Sequence, residues 1–495
     1  MRNTLNLLTF DIGASQGRGI VGAFDGRRIT LEPIAVFDNN FIQNGQCAHW
    51  NYKRILDGVK GCFPAAAARG LAPDCFGIDT WGVDYGLLDA QGSLLEDPRA
   101  YRMSTDEEMR AAWAVIPRRE MFDLTGIAAL HFNTVYQLYR RVLEGDAALR
   151  QASALLFMPD LLGYDLSGVM RSEYTVATTS GLLAAGTGQW SGEIISRLGL
   201  PGSIFQAIDR PGTLRGRLKA GLAAEWGVGR AAHAAVGGHD TASAVAAIPG
   251  SGDFVFCSSG TWCLFGFESD KPILSDLVYE SNFSNEGTVQ GGYRPLKNIM
   301  GLWLVQECRR EWTRQEGRVL DWEFIKAEAA RARPLRSVLD PDDPAFYTPG
   351  NMPGKIRDYC KKTGQPQPET IGQFARACYE ALALKYRWAV ERLGEIRGRP
   401  ATGLNITGGG IQNKLLNQMA ADATGLPVTT GPVEGAALGN ALMQAMAMGE
   451  IESLDQAREV VRASMDTQLY EPRRSAAWDE AYATMLSNMQ ALNDE

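Results

Sequence analysis

Apolar runs along this chain are short, and most stop at a glycine beside a polar residue. Leu7-Leu8-Thr9-Phe10 leads into Asp11-Ile12-Gly13-Ala14-Ser15-Gln16-Gly17-Arg18 and then Gly19-Ile20-Val21-Gly22, a pattern that predicts two strands joined by a tight glycine-containing turn. Residues 254–266 repeat the design: apolar strand, the small polar turn Ser258-Ser259-Gly260-Thr261, apolar strand. The repetition predicts an internal duplication, two similar halves that each begin with such a hairpin. Near the midpoint, residues 231–236 run into Gly237-Gly238-His239-Asp240-Thr241-Ala242-Ser243, which reads as strand, glycine break and the start of a helix over 241–248.

The remaining pattern fills out an α/β chain. Residues 76–89 are strand-like, and 109–209 are mostly helical and form the body of the first half. Pro249-Gly250-Ser251-Gly252 is a connector. Residues 297–306 predict a helix entered from a polar cap, with Asn298 and Gln306 facing a ligand, whereas 320–368 read as irregular and proline-containing. Ile371, Phe374, Cys378, Leu382, Tyr386, Ala389 and Leu393 fall at helical spacing and mark a packing helix. Residues 404–413 predict a strand, a triple glycine and a helix; 434–448 and 473–493 are closing layers.

At 495 residues the chain exceeds one ordinary core, and two domains over 1–245 and 246–495 are expected. A net charge of −8 without a basic stripe argues against nucleic acid as a partner. The first ten residues lack the length and cleavage site of a signal peptide, and no apolar stretch reaches membrane-span length. Eight cysteines without a CxxC pair fit free thiols in a reducing cytoplasm. Four scattered histidines without HExxH spacing speak against a zinc site.

Candidate chemistry sits at the glycine breaks. The opening hairpin is neither a Walker loop nor GxGxxG. Its Asp11, Ser15 and Arg18 still offer a phosphate donors and Mg²⁺ an oxygen ligand; the alternative is a plain hairpin. Asp79, Trp81, Gly82 and Asp84 supply the acceptors and aromatic wall that suit a sugar, unless the aromatics are core and the acids turn residues. Asp240 and Thr241 stand where a helix begins, which is equally the place of an ordinary N-cap. Gly408-Gly409-Gly410 lets a base or phosphate lie against backbone.

Taken together, residues 11–18, 77–84, Met158-Pro159-Asp160, 238–243, 258–262, 296–306, 408–413 and Gly431-Pro432-Val433-Glu434 resemble, in order, the motifs of the FGGY family of carbohydrate kinases. The resemblance implies two ribonuclease-H-like domains of the actin, hexokinase and Hsp70 type, mixed sheets flanked by helices, with ATP and sugar in an interdomain cleft. It implies Asp240 as catalytic base and Asp11 as the Mg²⁺-associated acid. Ala14, Ser15, Gln16, Gly17, Arg18, Thr261, Gln306 and Gly409 then hold the nucleotide, and Gly82, His239, Asp240, Thr241 and Asn298 the sugar. ATP would phosphorylate a ketose, L-rhamnulose foremost. Two departures stand out: similar members carry Tyr-Arg-Asp where this chain has Tyr101-Arg102-Met103, and Gln16 replaces a Ser. The first keeps L-fuculose, L-ribulose or a xylulose open as substrate. An ATP-gated binding or assembly protein on the same scaffold is the rival of another class. Oligomeric state is not legible in the chain.

Overall fold

A computed structural model describes residues 4–44, 47–250, 253–473 and 475–493, the side chains of Asn44, Cys47 and residues 491–493 excepted. Ser251 and Gly252 of the expected connector, and the first three residues, lie outside the described part. The chain forms two compact units. One comprises Met1–Pro249, Glu268–Leu296 and Glu434–Asp466; the other comprises Gly250–Phe267, Lys297–Val433 and Thr467–Glu495.

In the first unit a six-stranded sheet runs in the order Thr213–Arg217, Ala232–Ala235, Cys75–Thr80, Leu5–Ile12, Gln16–Phe24, Ile29–Asp38. Leu5–Ile12 is antiparallel to Gln16–Phe24 and parallel to Cys75–Thr80, which is in turn parallel to Ala232–Ala235. Leu8, Phe10 and Ile12 point into a cluster with Trp50, Phe63 and Phe76, while Leu7 joins Phe24, Ala234, Leu438 and Leu442 in another. Both faces are covered, which is why this strand reads as a continuous apolar run. The Gly435–Ala447 helix supplies the second cover: a Cβ on Gly439 would meet the Ser243 carbonyl at 1.7 Å, so only glycine permits this approach to the Asp240–Ala246 helix.

In the second unit Trp262–Gly266 is antiparallel to Phe254–Ser259, which is parallel to Gly403–Thr407; that strand is parallel to Val428–Thr430, and Gln468–Tyr470 closes the edge antiparallel. The antiparallel–parallel–parallel–antiparallel succession repeats that of the first unit, so the duplication read from the two hairpins extends through the sheets. The Ile371–Arg397 helix buries Phe374, Cys378, Leu382, Tyr386, Ala389 and Leu393 as their spacing predicts.

Two expectations need correction. Tyr293–Met300 is a strand paired with Ser284–Gly287, and the helix starts only at Trp303; the adjacent polar pair Lys297-Asn298, half-buried near the end of an otherwise buried strand, imitates a polar helix entry. Residues 320–368 are not wholly irregular, because they hold helices Trp322–Arg331 and Met352–Lys362. Pro353 sits in the first turn of the latter, where its missing N–H costs nothing.

Candidate functional site

The first unit gathers its polar side chains at the carboxyl ends of three parallel strands. Asp11 is paired in register with Asp79 on one side and Arg18 on the other. Arg18 Nη2 donates to Asp11 Oδ2 at 2.5 Å, and its other terminal nitrogen bridges to Glu434. Burial pushes the Asp11 carboxyl up, Arg18 pulls against it and Asp240 pushes it further, leaving it raised. Asp79 is fully buried and accepts from Asn440 Nδ2 at 2.6 Å; Gln444 in turn bonds Asn440 Oδ1 at 2.8 Å. Burial and the neighbouring Asp11 hold Asp79 well above the ordinary carboxylate range.

The turn itself spans residues 13–15, and Gln16, Gly17 and Arg18 already belong to the returning strand. Ala14 and Ser15 therefore present the turn. Gly17 has a packing reason instead, since a Cβ there would run into the Phe37 ring at 2.2 Å.

At the midpoint loop the Thr80 amide donates to the Gly238 carbonyl at 2.9 Å, which fastens the loop to the sheet end. Gly238 leaves room for Glu173, whose Oε2 accepts from the Gly238 amide at 2.9 Å. Burial lifts the Glu173 carboxyl to about 7. The N-cap position falls on His239, and Asp240 is the first residue of the helix, so the capping explanation of Asp240 does not hold. Asp240 is about one-third exposed; its Oδ1 accepts from the Thr241 hydroxyl at 3.0 Å and faces His239 Nε2 at 3.5 Å.

Asp79 lies in the strand Cys75–Thr80, its Oδ2 taken by Asn440 and its Oδ1 without a hydrogen-bond partner among the described residues. Asp84 is fully buried and takes hydrogen bonds from Trp50 Nε1 at 2.6 Å and Trp81 Nε1 at 2.9 Å; burial raises it to about 6. Gly82 precedes Val83, a β-branched residue at φ 70° held by Thr179 Oγ1 on its amide and Thr134 Oγ1 on its carbonyl. Such strain in a packed turn persists only where the surroundings impose it. Met103 packs half-buried against the cluster of Trp50 and Trp81.

In the second unit Thr261 Oγ1 bonds Gln306 Oε1 at 3.1 Å, so these two expected nucleotide residues do meet. The Gly301 and Leu302 amides bond the Thr261 and Gly260 carbonyls at 3.1 and 2.9 Å, docking the turn on the approach to the Trp303–Glu316 helix. Gly409 is exposed with open space where a side chain would go. Asn298 lies on the strand, its Oδ1 buried without a hydrogen-bond partner among the described residues.

Among the described residues no group of three or more His, Cys, Asp or Glu forms a metal-binding cluster, no helix is long and apolar enough to cross a membrane, and seven cysteines are free and buried. Asp11 fits Mg²⁺ on those terms, because Mg²⁺ held mainly by phosphates and water asks one or two carboxylates of a protein. Glu173, Glu286, Arg294, Glu434 and Asn440 were not singled out as site residues from sequence. Only Glu434 lay in a recognisable motif.

Residues 6–247 match the N-terminal domain, and 255–448 the C-terminal domain, of the FGGY family of carbohydrate kinases. A rhamnulokinase of Bacteroides thetaiotaomicron is 41% identical over 483 residues, 96% of this chain and 98% of that protein. A rhamnulokinase of Enterococcus faecalis is 37% identical over 472 residues, covering 94% of each. Among solved structures, a xylulose kinase from Lactobacillus acidophilus superposes with a TM-score of 0.81 at 16% identity, over 99% of this chain and 98% of that one, which speaks for the fold alone.

Proposed function

The chain belongs to the FGGY family of carbohydrate kinases and is a sugar kinase; from that premise we propose that it transfers the γ-phosphoryl group of ATP to O1 of L-rhamnulose, giving L-rhamnulose 1-phosphate and ADP. The substrate rests on rhamnulokinase relatives at 36–41% identity over more than nine-tenths of the chain. The observation that carries the chemistry is Asp240, a partly exposed carboxylate at a sheet end, one position inside the helix whose N-cap position is His239.

Asp240 takes the proton of the primary hydroxyl as the O1–P bond forms and the bond from the γ-phosphorus to the ADP oxygen breaks. Phosphoryl transfer is chiefly positioning and charge stabilisation, and the surrounding residues have those tasks. The 14–18 hairpin, Thr261, Gln306 and Gly409 bind ATP; Gly82, His239, Thr241 and Asn298 orient the ketose. Asp11 would hold Mg²⁺, which when bound neutralises charge on the phosphate oxygens. Arg18 already balances Asp11 and Glu434, so it keeps a positive charge beside the phosphate turn. Asn298 Oδ1 is the buried acceptor that a sugar hydroxyl would satisfy. A cytoplasmic location belongs to the same proposal, supported by the free thiols.

The test is a panel of L-rhamnulose, L-fuculose, L-ribulose, L-xylulose, D-xylulose and glycerol, scored by kcat/KM for ADP release with phosphorus NMR of the product. A pocket that bonds each hydroxyl leaves a buried group unpaired when one is inverted, at ~1–3 kcal/mol apiece. L-Rhamnulose should lead. A lead of tenfold or more for another sugar overturns the substrate and leaves the kinase standing.

A further inference from the structure

Glu286 and Arg294 oppose each other directly across the Ser284–Gly287 and Tyr293–Met300 hairpin. Both are buried, Arg294 completely. Burial lowers the Arg294 guanidinium from its ordinary value even with Glu286 beside it. A charge pair kept inside at such cost is weak evidence for stability and invites a search for what it holds. The pair holds His239: Arg294 Nη2 lies 2.9 Å from His239 Nδ1 and 3.1 Å from Glu286 Oε2, while Glu286 Oε2 lies 3.2 Å from the same Nδ1.

Hydrogen counting decides what that contact does. Nη2 carries two N–H bonds. One goes to Glu286 and the other to Nδ1, so that both hydrogens of Nη2 have an acceptor, provided Nδ1 is bare; Nη1 has no hydrogen-bond partner among the described residues. A hydrogen on Nδ1 would instead press against the Arg294 N–H at 2.9 Å. With Nδ1 bare, the neutral ring carries its hydrogen on Nε2, the nitrogen that faces the acceptor-only Asp240 Oδ1 at 3.5 Å. That separation is long for a hydrogen bond and of the kind that tightens when substrate binds.

We infer that Glu286 and Arg294 are positioning residues that lock His239 in the Nε2–H tautomer, so that His239 and the Thr241 hydroxyl together hold Asp240 Oδ1 and leave Oδ2 to take the substrate proton. The inference rests on Asp240 being the base. The opposite tautomer would set a bare Nε2 lone pair against the carboxylate and turn it away. Glu286 contributes by anchoring the guanidinium, and Arg294 Nε fixes the same group to the Gly287 carbonyl at 2.8 Å. The His239 amide, bonded to Thr175 Oγ1 at 3.2 Å, fixes the backbone from the other side.

With four histidines in the chain, the tautomer is directly readable in the full-length protein labelled with ¹⁵N-histidine, by long-range proton–nitrogen correlation, with His239→Gln used for assignment. The wild-type His239 should show hydrogen on Nε2 and a bare Nδ1. Arg294→Met, which keeps length and removes the donors, should move the hydrogen to Nδ1 against Glu286 and lower kcat about 10–100-fold while KM for ATP stays within about twofold; Arg294→Lys should recover part of the rate. Should Arg294→Met not fold, the wild-type spectrum carries the test. A wild-type ring protonated on Nδ1, one averaging between tautomers, or an unchanged tautomer in folded Arg294→Met overturns the inference. Normal turnover by Asp240→Asn with the tautomer in place sinks the base assignment instead.

Discussion

In the first unit the penultimate residue of the leading strand is Asp11, with Asp79 as its parallel partner and Arg18 as its antiparallel one. In the second unit the penultimate residue of the corresponding strand is Ser258, flanked by Thr407 and Leu264. One scaffold thus carries charge at one set of strand ends and small hydroxyls at the other. Charge there is costly, since Asp11 and Asp79 both lose water and repel each other. The fold offsets it with Arg18 and with the Asn440–Gln444 relay. The neutral set needs no such relay and packs tightly: a Cβ on Gly410 would meet Ser259 Oγ at 2.0 Å. On the proposed function, the charged ends would serve phosphoryl transfer, and the neutral ends a nucleotide that needs shape and hydrogen bonds.

The largest break in that contrast is Asp240→Asn, which keeps size and removes the base. We expect kcat to fall roughly 10²–10⁴-fold with ketose binding, read by calorimetry, largely kept. Near-normal turnover would take Asp240 out of its role. Next comes Asp11→Ser, which gives the first unit the second unit's residue. Loss of one preorganised charge at a reacting phosphate is worth about 10²–10³-fold in kcat, and the concentration of Mg²⁺ needed for half-maximal rate should rise; an unshifted Mg²⁺ titration counts against Asp11 as the metal's acid.

The buried acids of the first unit also set a pH dependence. Asp84, raised to about 6, and Glu173, raised to about 7, both lie above their unfolded values. A raised carboxyl contributes stability that is present below the unfolded value and lost as pH rises through the folded one. Stability should therefore decline between pH 4 and 8, by on the order of 1–3 kcal/mol for Asp84 alone. In Asp84→Asn the decline should be shallower, whatever the loss at any one pH, as measured by denaturant unfolding across that range. Equal slopes in both proteins would mean that Asp84 is charged throughout.

Sequence resolves the parts of the site that are contiguous. Both hairpins and residues 237–243 announce themselves because strand, glycine and helix start follow within a dozen residues. Their supports do not: Glu434, Asn440 and Gln444 return to Arg18, Asp79 and Leu8 more than 350 residues later, and Glu286 and Arg294 reach His239 from a hairpin, at positions outside the motifs legible in the sequence. No local spacing encodes a buried partner that distant. The partners that take up Asp84 and one oxygen of Asp79, namely Trp50, Trp81 and Asn440, are tertiary in the same way.

The smallest effect gives the finest test of the neutral end, because its three glycines have different reasons to be glycine. Gly408 sits at φ 87° with the Ser259 carbonyl 2.8 Å from where a Cβ would be, and Gly410 meets Ser259 Oγ. Both are demanded by the fold, and Gly408→Ala or Gly410→Ala should lower stability by about 1–2 kcal/mol through left-handed strain or displacement of Ser259. Gly409 meets nothing within 4 Å and has no positive φ, so Gly409→Ala should leave Tm unchanged. If ATP lies against that backbone, the added methyl stands where the ligand does, and KM for ATP should rise about three- to tenfold, ~0.7–1.4 kcal/mol, with kcat and KM for the ketose unmoved. A variant indistinguishable from wild type in both Tm and KM for ATP would mean that the nucleotide does not approach Gly409, and the neutral strand ends would then need another occupant.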